Sequence, residues 1–170
     1  DYGTNIHKVM EDYLTEGVEE EEHESLYSSF NKWKHIFKKF PTLLCEEKLH
    51  DLDNFIAGTA DLIYENKTHF MVGDFKTNKA FNFFSQYNEF MLKPMDHLSV
   101  CEFNTYALQL SLYGYLHEKS SGKKCTGCVI FYKDKETNKF YPIRVNYMKN
   151  EIIALIEDYN NPNSLSSKIA

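Results

Sequence analysis

The chain has 170 residues, of which 42% are hydrophobic and 15% aromatic, and its formal net charge is −6. This composition supplies a core and excludes a fully disordered chain. The negative charge also excludes binding of nucleic acid through charge alone. No apolar run is long enough to span a bilayer, so we expect no membrane contact. The length predicts a single domain over residues 1–170. The polar start and four cysteines predict a reduced, intracellular, cytoplasmic protein.

Hydrophobic spacing predicts four helices, two at the start of the chain, one after its middle and one near its end. Their predicted ranges are 4–15, 24–39, 103–118 and 147–159. Alternating and β-branched segments predict five strands, bounded by turns such as "DLDN" and "ENKT". These strands are predicted over 42–50, 55–64, 68–76, 125–133 and 139–146. The aromatic-rich segment 77–102 reads as irregular. This order predicts an α/β (α+β) fold, with a central mixed sheet flanked by helices.

Three charged residues fall on the predicted central hairpin, whose other residues are mostly apolar. If the turn lies in "ENKT", Asp61 is expected opposite Val72. Side chains alternate along a strand, so Asp61, Val72, Asp74 and Lys76 are predicted to share one face, with Phe75 on the other. Two carboxylates and an ammonium group therefore converge at one end of the hairpin.

A further carboxylate is predicted beside this group. With "DLDN" as its turn, Glu46 is expected opposite Thr59, on the face that Asp61 uses, while the adjacent Glu47 points away. Clustered carboxylates are costly to bury, and a divalent cation such as Mg²⁺ or Mn²⁺ resolves their repulsion. A cation site beside Lys76 is suited to the hydrolysis of a phosphodiester, so this pattern of residues predicts that reaction. The alternative is an Asp–Lys ion pair on an exposed sheet face.

Four motifs occur in order along the chain: "GTNIHKVME", "CEEKLHDLDNFIAGTADLI", "GDFKT" and "QLSLY". Together they resemble the PD-(D/E)XK nuclease superfamily, in its RecB-like branch, which includes the mitochondrial genome-maintenance exonuclease and many phage nucleases. The resemblance spans about residues 3–118 and implies a restriction-endonuclease-like core. The Pro-Asp that names the superfamily is absent, because Ala60 precedes Asp61; Gly-x-x-Asp is common there in this branch.

The resemblance implies a role for each matched residue. Asp61, Asp74 and Glu46 would be catalytic carboxylates, and Lys76 the catalytic lysine. The implied metal is Mg²⁺ or Mn²⁺, and its implied ligands are His7, Asp61, Asp74 and the backbone carbonyl of Phe75. Gln109 and Tyr113, four residues apart on one helix, would order the site and the DNA. Thr77 and Lys79 are candidates to contact phosphate, or are ordinary loop residues.

The function implied is that of a metal-dependent DNA nuclease. We expect an exonuclease acting on DNA ends or single strands in replication, recombination or repair. Its partners would be DNA and a helicase or recombinase, and the phage-like motifs suggest a phage-infected host cell. Two alternatives stay open: a non-catalytic nucleic-acid-binding module with the same fold, and an RNA endonuclease.

Overall fold

A computed structural model describes residues 2–164, with side chains from residue 5 onward. Within this range the chain forms four α-helices and five β-strands. The helices are α1 (Tyr2–Glu16), α2 (Glu24–Trp33), α3 (Glu102–Ser121) and α4 (Lys149–Asn160). The strands are β1 (Thr42–Asp51), β2 (Ile56–Glu65), β3 (His69–Lys76), β4 (Lys124–Asp134) and β5 (Lys139–Val145). All nine predicted elements are present. The second helix ends earlier than predicted, at Trp33, and continues as a 3₁₀ turn over Lys34–Phe37.

The five strands form one mixed sheet in the order β1-β2-β3-β4-β5. Strands β1, β2 and β3 are an antiparallel meander, β3 and β4 are parallel, and β4 and β5 are antiparallel. The parallel pair requires a crossover, which α3 and the segment before it provide. The predicted α/β class, with a central mixed sheet flanked by helices, is therefore confirmed.

The sheet separates two apolar cores, because neighbouring side chains on a strand point to opposite faces. On one face, Phe75 and Phe131 pack with α1 and α2, which contribute Met10 and Phe30. On the other face, Val72, Ile130 and their neighbours pack against α3. The central strand β3 is consequently buried along most of its length. Charged residues on this strand lie between layers of helix and sheet.

The predicted strand registers were wrong by two residues in both hairpins. Val72 pairs with Ile63 rather than Asp61, and Thr59 pairs with Lys48 rather than Glu46. The physical reason is the same in both turns: a side-chain oxygen accepts hydrogen bonds from backbone N–H groups two and three residues later. Asn66 Oδ1 builds the β2–β3 turn in this way, and an Asp51 oxygen builds the β1–β2 turn.

The segment 77–101 between β3 and α3 contains no helix or named strand, as predicted, and holds one isolated bridge between Phe90 and Ser99. Backbone hydrogen bonds nevertheless order it, such as those from the N–H of Met91 to the carbonyl of Leu98 and from the N–H of Val100 to that of Glu89. Across residues 2–164, no helix is both long and apolar enough to cross a membrane.

Candidate active site

Three potential metal ligands meet where β2 and β3 separate beneath α1. His7 Nε2, on α1, lies 3.1 Å from Asp61 Oδ2 and 2.9 Å from the carbonyl oxygen of Phe75. The same Asp61 oxygen accepts a hydrogen bond of 2.8 Å from the Phe75 backbone N–H. The Phe75 ring faces the other way, into the core beside Phe30. A buried ring thus fixes the backbone that holds Asp61 and His7 together.

Asp74 occupies the next position on β3 and is almost completely buried, at 3% exposure. Its Oδ2 lies 2.7 Å from Lys76 Nζ, an ion-pair distance. Among the described residues, no hydrogen bond to that oxygen is assigned besides this ion pair. Burial, and then the nearby Asp61 carboxylate, raise the pKa of Asp74 despite the lysine. Lys76 therefore offsets only part of the cost of burying the Asp74 carboxylate beside Asp61.

Lys76 is held by three groups that all favour its ammonium form. Besides Asp74, its Nζ donates to Gln109 Oε1 at 3.2 Å and lies 4.5 Å from the centre of the Tyr106 ring. Burial lowers the pKa of Lys76, but the Asp74 carboxylate outweighs burial, so the pKa is raised overall. The Gln109 amide donates in turn to the Tyr113 hydroxyl at 3.0 Å. The face of α3 thus fixes the lysine and its charge.

Glu46 lies at the edge of this group. It falls between the pairs Cys45–Leu62 and Glu47–Ala60, level with Asp61, and its backbone has a positive φ of 51°. Partial burial, and then Asp61, raise the pKa of Glu46. The predicted register for Glu46 was wrong, because the residue lies level with Asp61 rather than Thr59. The effect of Asp61 on its pKa nevertheless places the two carboxylates near each other.

Two residues of the site were missed by sequence reasoning. Tyr106 was not among the predicted site residues, yet its ring lies over Lys76. Its spacing to Gln109 and Tyr113, three and seven residues, places all three on one helical face and could have identified it. The other is Gly58 of the Gly-x-x-Asp motif: a Cβ there would come within 2.6 Å of Tyr113 Cε1. Gly58 is required because the Tyr113 ring packs directly on β2.

The structure does not bring every candidate into this group. Thr77 is half-buried and Lys79 exposed in the loop that follows β3, and neither has a defined contact with the site. A separate exposed group, Glu20, Glu22 and His23, is the one set of three described His, Cys, Asp or Glu residues whose ligand atoms all lie within 4.8 Å of one another. Asp74 therefore lies farther than this from at least one member of the His7–Asp61 pair.

The donors at this site fit a hard divalent cation. Neighbouring ligands of octahedral Mg²⁺, each about 2.1 Å from the metal, lie about 3 Å apart. The distances from His7 Nε2 to Asp61 Oδ2 and to the Phe75 carbonyl match that spacing. Asp74 lies outside this group of three donors, because it is farther than 4.8 Å from at least one member of the His7–Asp61 pair and its Oδ2 lies 2.7 Å from Lys76 Nζ. Its side chain would have to turn to reach a cation bound by His7 and Asp61. A nitrogen, a carboxylate and a carbonyl would also suit Mn²⁺.

No protein-family model and no curated protein matches the chain. Among solved structures, a candidate exonuclease from Eubacterium rectale is similar over 77% of this chain and 48% of its own, with 14% identity and a TM-score of 0.46. A protein named SSO0001 is similar over 78% of this chain and 54% of its own, with 18% identity and a TM-score of 0.38. The chain thus spans about half the length of each. These similarities are too distant to assign a function.

Proposed function

We propose that the chain is a metal-dependent nuclease that hydrolyses phosphodiester bonds in DNA, of the PD-(D/E)XK type and its RecB-like branch. The observation that carries the proposal is the spacing of His7 Nε2, Asp61 Oδ2 and the Phe75 carbonyl, beside a buried pair of Asp74 and Lys76. Structural ion pairs do not require a carbonyl and an imidazole at metal-ligand spacing. A phosphodiesterase site requires both a cation site and a fixed ammonium group.

In this proposal His7, Asp61, Asp74 and the Phe75 carbonyl hold Mg²⁺ or Mn²⁺, with Glu46 as a further carboxylate. When bound, the metal polarises a phosphate oxygen and lowers the pKa of a bound water. Lys76 keeps its proton and places its ammonium group beside the scissile phosphate, where it stabilises developing negative charge. Gln109 and Tyr106 hold that ammonium in place, and Tyr113 fixes the Gln109 amide.

The finer assignment is an exonuclease that acts on DNA ends or single strands in replication, recombination or repair. Thr77 and Lys79 follow Lys76 into the loop and are proposed to contact substrate phosphate. One domain over residues 1–170 would carry the activity inside the cell, in the cytoplasm or in a phage-infected host, with a helicase or recombinase as partner.

The test is a cleavage assay with end-labelled DNA, single- and double-stranded, linear and circular, in Mg²⁺, Mn²⁺ or EDTA. We expect cleavage in either metal, none in EDTA, and none by Asp61→Asn or Lys76→Ala. Survival of circular DNA is expected for an exonuclease. Glu22→Gln is the matched control, because it alters a surface carboxylate of the exposed Glu20–Glu22–His23 group, and it is expected to cleave normally.

Three outcomes contradict parts of the proposal. If the chain cleaves RNA but not DNA, the proposed substrate is wrong, and the proposed hydrolysis of phosphodiester bonds still holds. Binding of DNA without cleavage of DNA or RNA in either metal would favour a non-catalytic binding module. Loss of activity in Glu22→Gln, but not in Asp61→Asn, would move the metal to the exposed acidic group.

A further inference from the structure

The segment 77–101 divides its aromatic residues into a packed set and an exposed set. Phe81 lies 5.8 Å from Tyr106 and 5.3 Å from Tyr132, ring centre to ring centre, and Phe83, although 48% exposed, lies 5.2 Å from Phe103. These contacts anchor the segment on α3 and β4. The rings of Phe84 and Tyr87, by contrast, are 79% and 80% exposed. The outer rings therefore contribute little to the core that holds the segment.

An ordered turn presents these exposed rings. Ser85 Oγ accepts hydrogen bonds from the backbone N–H groups of Tyr87 and Glu89, at 3.2 and 3.0 Å. The backbone N–H of Asn82 is likewise bound by the Glu102 carboxylate at 3.0 Å. Rings that are exposed on a fixed backbone lose little conformational entropy when a ligand covers them. This is the arrangement expected of a binding surface.

Phe84 lines two clefts. The first, of about 540 Å³, also contains Tyr87 and Tyr106 in its walls. The second, of about 480 Å³, contains Phe90 and Phe103. Each is within the size range of sites for small molecules, and each has an aromatic wall on which a flat ring can stack.

Tyr106 connects the first cleft to the candidate active site. Its ring lines the cleft and also lies 4.5 Å from Lys76 Nζ. A ligand in the cleft therefore lies one side chain away from the proposed position of the scissile phosphate. The carboxylates of Glu89 and Glu102 also line the cleft and disfavour a phosphate there. The combination favours an uncharged, flat group attached to a phosphate chain that runs nearby.

We propose that the Phe84–Tyr87 surface, defined by these two rings and the clefts beside Phe84, binds unpaired nucleobases of a single strand by stacking. This inference rests on the proposed function and specifies its substrate: a strand with unstacked bases rather than an intact duplex. Stacking of bases on aromatic rings tolerates any sequence, so the surface selects strandedness and not sequence.

The test measures binding by fluorescence anisotropy in EDTA, which prevents metal-dependent cleavage. Two labelled probes of equal length are compared: oligothymidine and an abasic deoxyribose-phosphate oligomer. The wild-type chain is expected to prefer oligothymidine, and Phe84→Ala with Tyr87→Ala is expected to weaken that binding by about 10-fold or more and remove the preference. Phe84→Leu, which keeps an apolar side chain without an aromatic face, is expected to weaken it as well.

Phe55→Ala is the matched control, because Phe55 is 89% exposed in the β1–β2 turn and lines neither cleft, and the affinity of this variant is expected to be unchanged. Tyr87→Trp adds a spectroscopic measurement, because the chain has one other tryptophan. Quenching of the new fluorescence by oligothymidine, but not by the abasic oligomer, is expected.

Equal affinity for the two probes, or unchanged affinity in the double variant, would overturn the inference, and the latter would favour a protein-docking surface. The proposed function fails separately, if the wild type in Mn²⁺ leaves bis(p-nitrophenyl) phosphate, a diester without bases, and every DNA substrate intact.

Discussion

Two charged clusters lie on the same sheet and differ in how their charge is balanced. In the Glu65 cluster, one carboxylate has two partners, the imidazole of His117 with Nε2 at 2.9 Å and the ammonium group of Lys123 with Nζ at 2.8 Å. In the Asp74 cluster, formed by His7, Asp61, Asp74 and Lys76, Lys76 Nζ lies 2.7 Å from Asp74 and His7 Nε2 lies 3.1 Å from Asp61. Burial raises the pKa of both Glu65 and Asp74, but partners reverse the direction only for Glu65.

In the proposed function, this difference distinguishes a structural cluster from a functional one. The partners of Glu65 outweigh the cost of its burial and tie the end of β2 to α3. The partners of Asp74 do not outweigh the cost of its burial, and a bound cation would supply the missing positive charge. A chain selected only for stability gains nothing from the second arrangement. Changing the carboxylate to an amide should therefore lower stability but not metal-dependent cleavage in the Glu65 cluster, and lower metal-dependent cleavage but not stability in the Asp74 cluster.

The largest expected effect is that of Asp74→Asn. Removing a proposed metal ligand should lower metal-dependent cleavage by about 10³-fold or more. The rise in melting temperature that Mg²⁺ or Mn²⁺ gives the wild type should disappear, because a ligand stabilises only the state that binds it. In EDTA the melting temperature should not fall, because a carboxylate that is costly to bury is removed. A large fall in EDTA would mean that Asp74 is structural.

Lys76→Met should lower kcat by about 10²-fold, the effect of removing one preorganised charge at a developing anion. Metal binding should persist, since the carboxylates remain, and calorimetric titration with Mn²⁺ measures it directly. Lys67→Met, in the exposed β2–β3 turn, is the control. Normal kcat in Lys76→Met would contradict the role proposed for this ammonium group.

Glu65→Gln tests the other side of the comparison. It removes the charge that His117 and Lys123 share, and should lower the free energy of unfolding by about 1.5 to 3 kcal/mol. Cleavage by the folded variant and its stabilisation by metal should be unchanged. Urea unfolding followed by circular dichroism gives the first quantity. A loss of metal response here would show that the two clusters are coupled.

The fold was predictable because each element has its own periodic signal. On β3 the predicted alternation of faces holds, with Val72 in one core and Phe75 in the other. On β1 and β2 both registers were wrong by two residues and the alternation is interrupted near Glu46, because Cys45 and Leu62 pack with α1 and α2 whereas Leu49 and Ala60 pack with α3. The exact pairing depended on hydrogen bonds from Asp51 and Asn66 within the turns, which the residue types allow but do not determine. Sequence reasoning noted both as turn-forming residues without fixing where each turn is centred.

The candidate site was predictable in its residue types and less so in its supports. Asp61, Asp74 and Lys76 stood out because charges are unusual on a strand that is otherwise apolar. Tyr106 did not, since a tyrosine on a helix is equally suited to a core. Nor did the sequence offer a physical reason for a glycine at position 58, because that reason depends on where the Tyr113 ring packs.

The smallest expected effect concerns a third carboxylate, Asp51, which extends the comparison between the two clusters. Lys119 Nζ lies 2.8 Å from buried Asp51, and this hydrogen bond is the main reason that the pKa of Asp51 is lowered to about 2. Because the folded pKa is depressed, the stabilisation is fully present above the unfolded pKa of about 4 and is lost as pH falls towards 2. Lys119→Met should therefore reduce stability slightly at neutral pH, as expected for an ion pair with an exposed lysine, and by progressively less below pH 4. Lys135→Met, in the exposed β4–β5 turn, should show no such trend. A constant difference between wild type and Lys119→Met across this pH range would mean that Lys119 acts through packing, and that charge balance does not distinguish the clusters of this sheet.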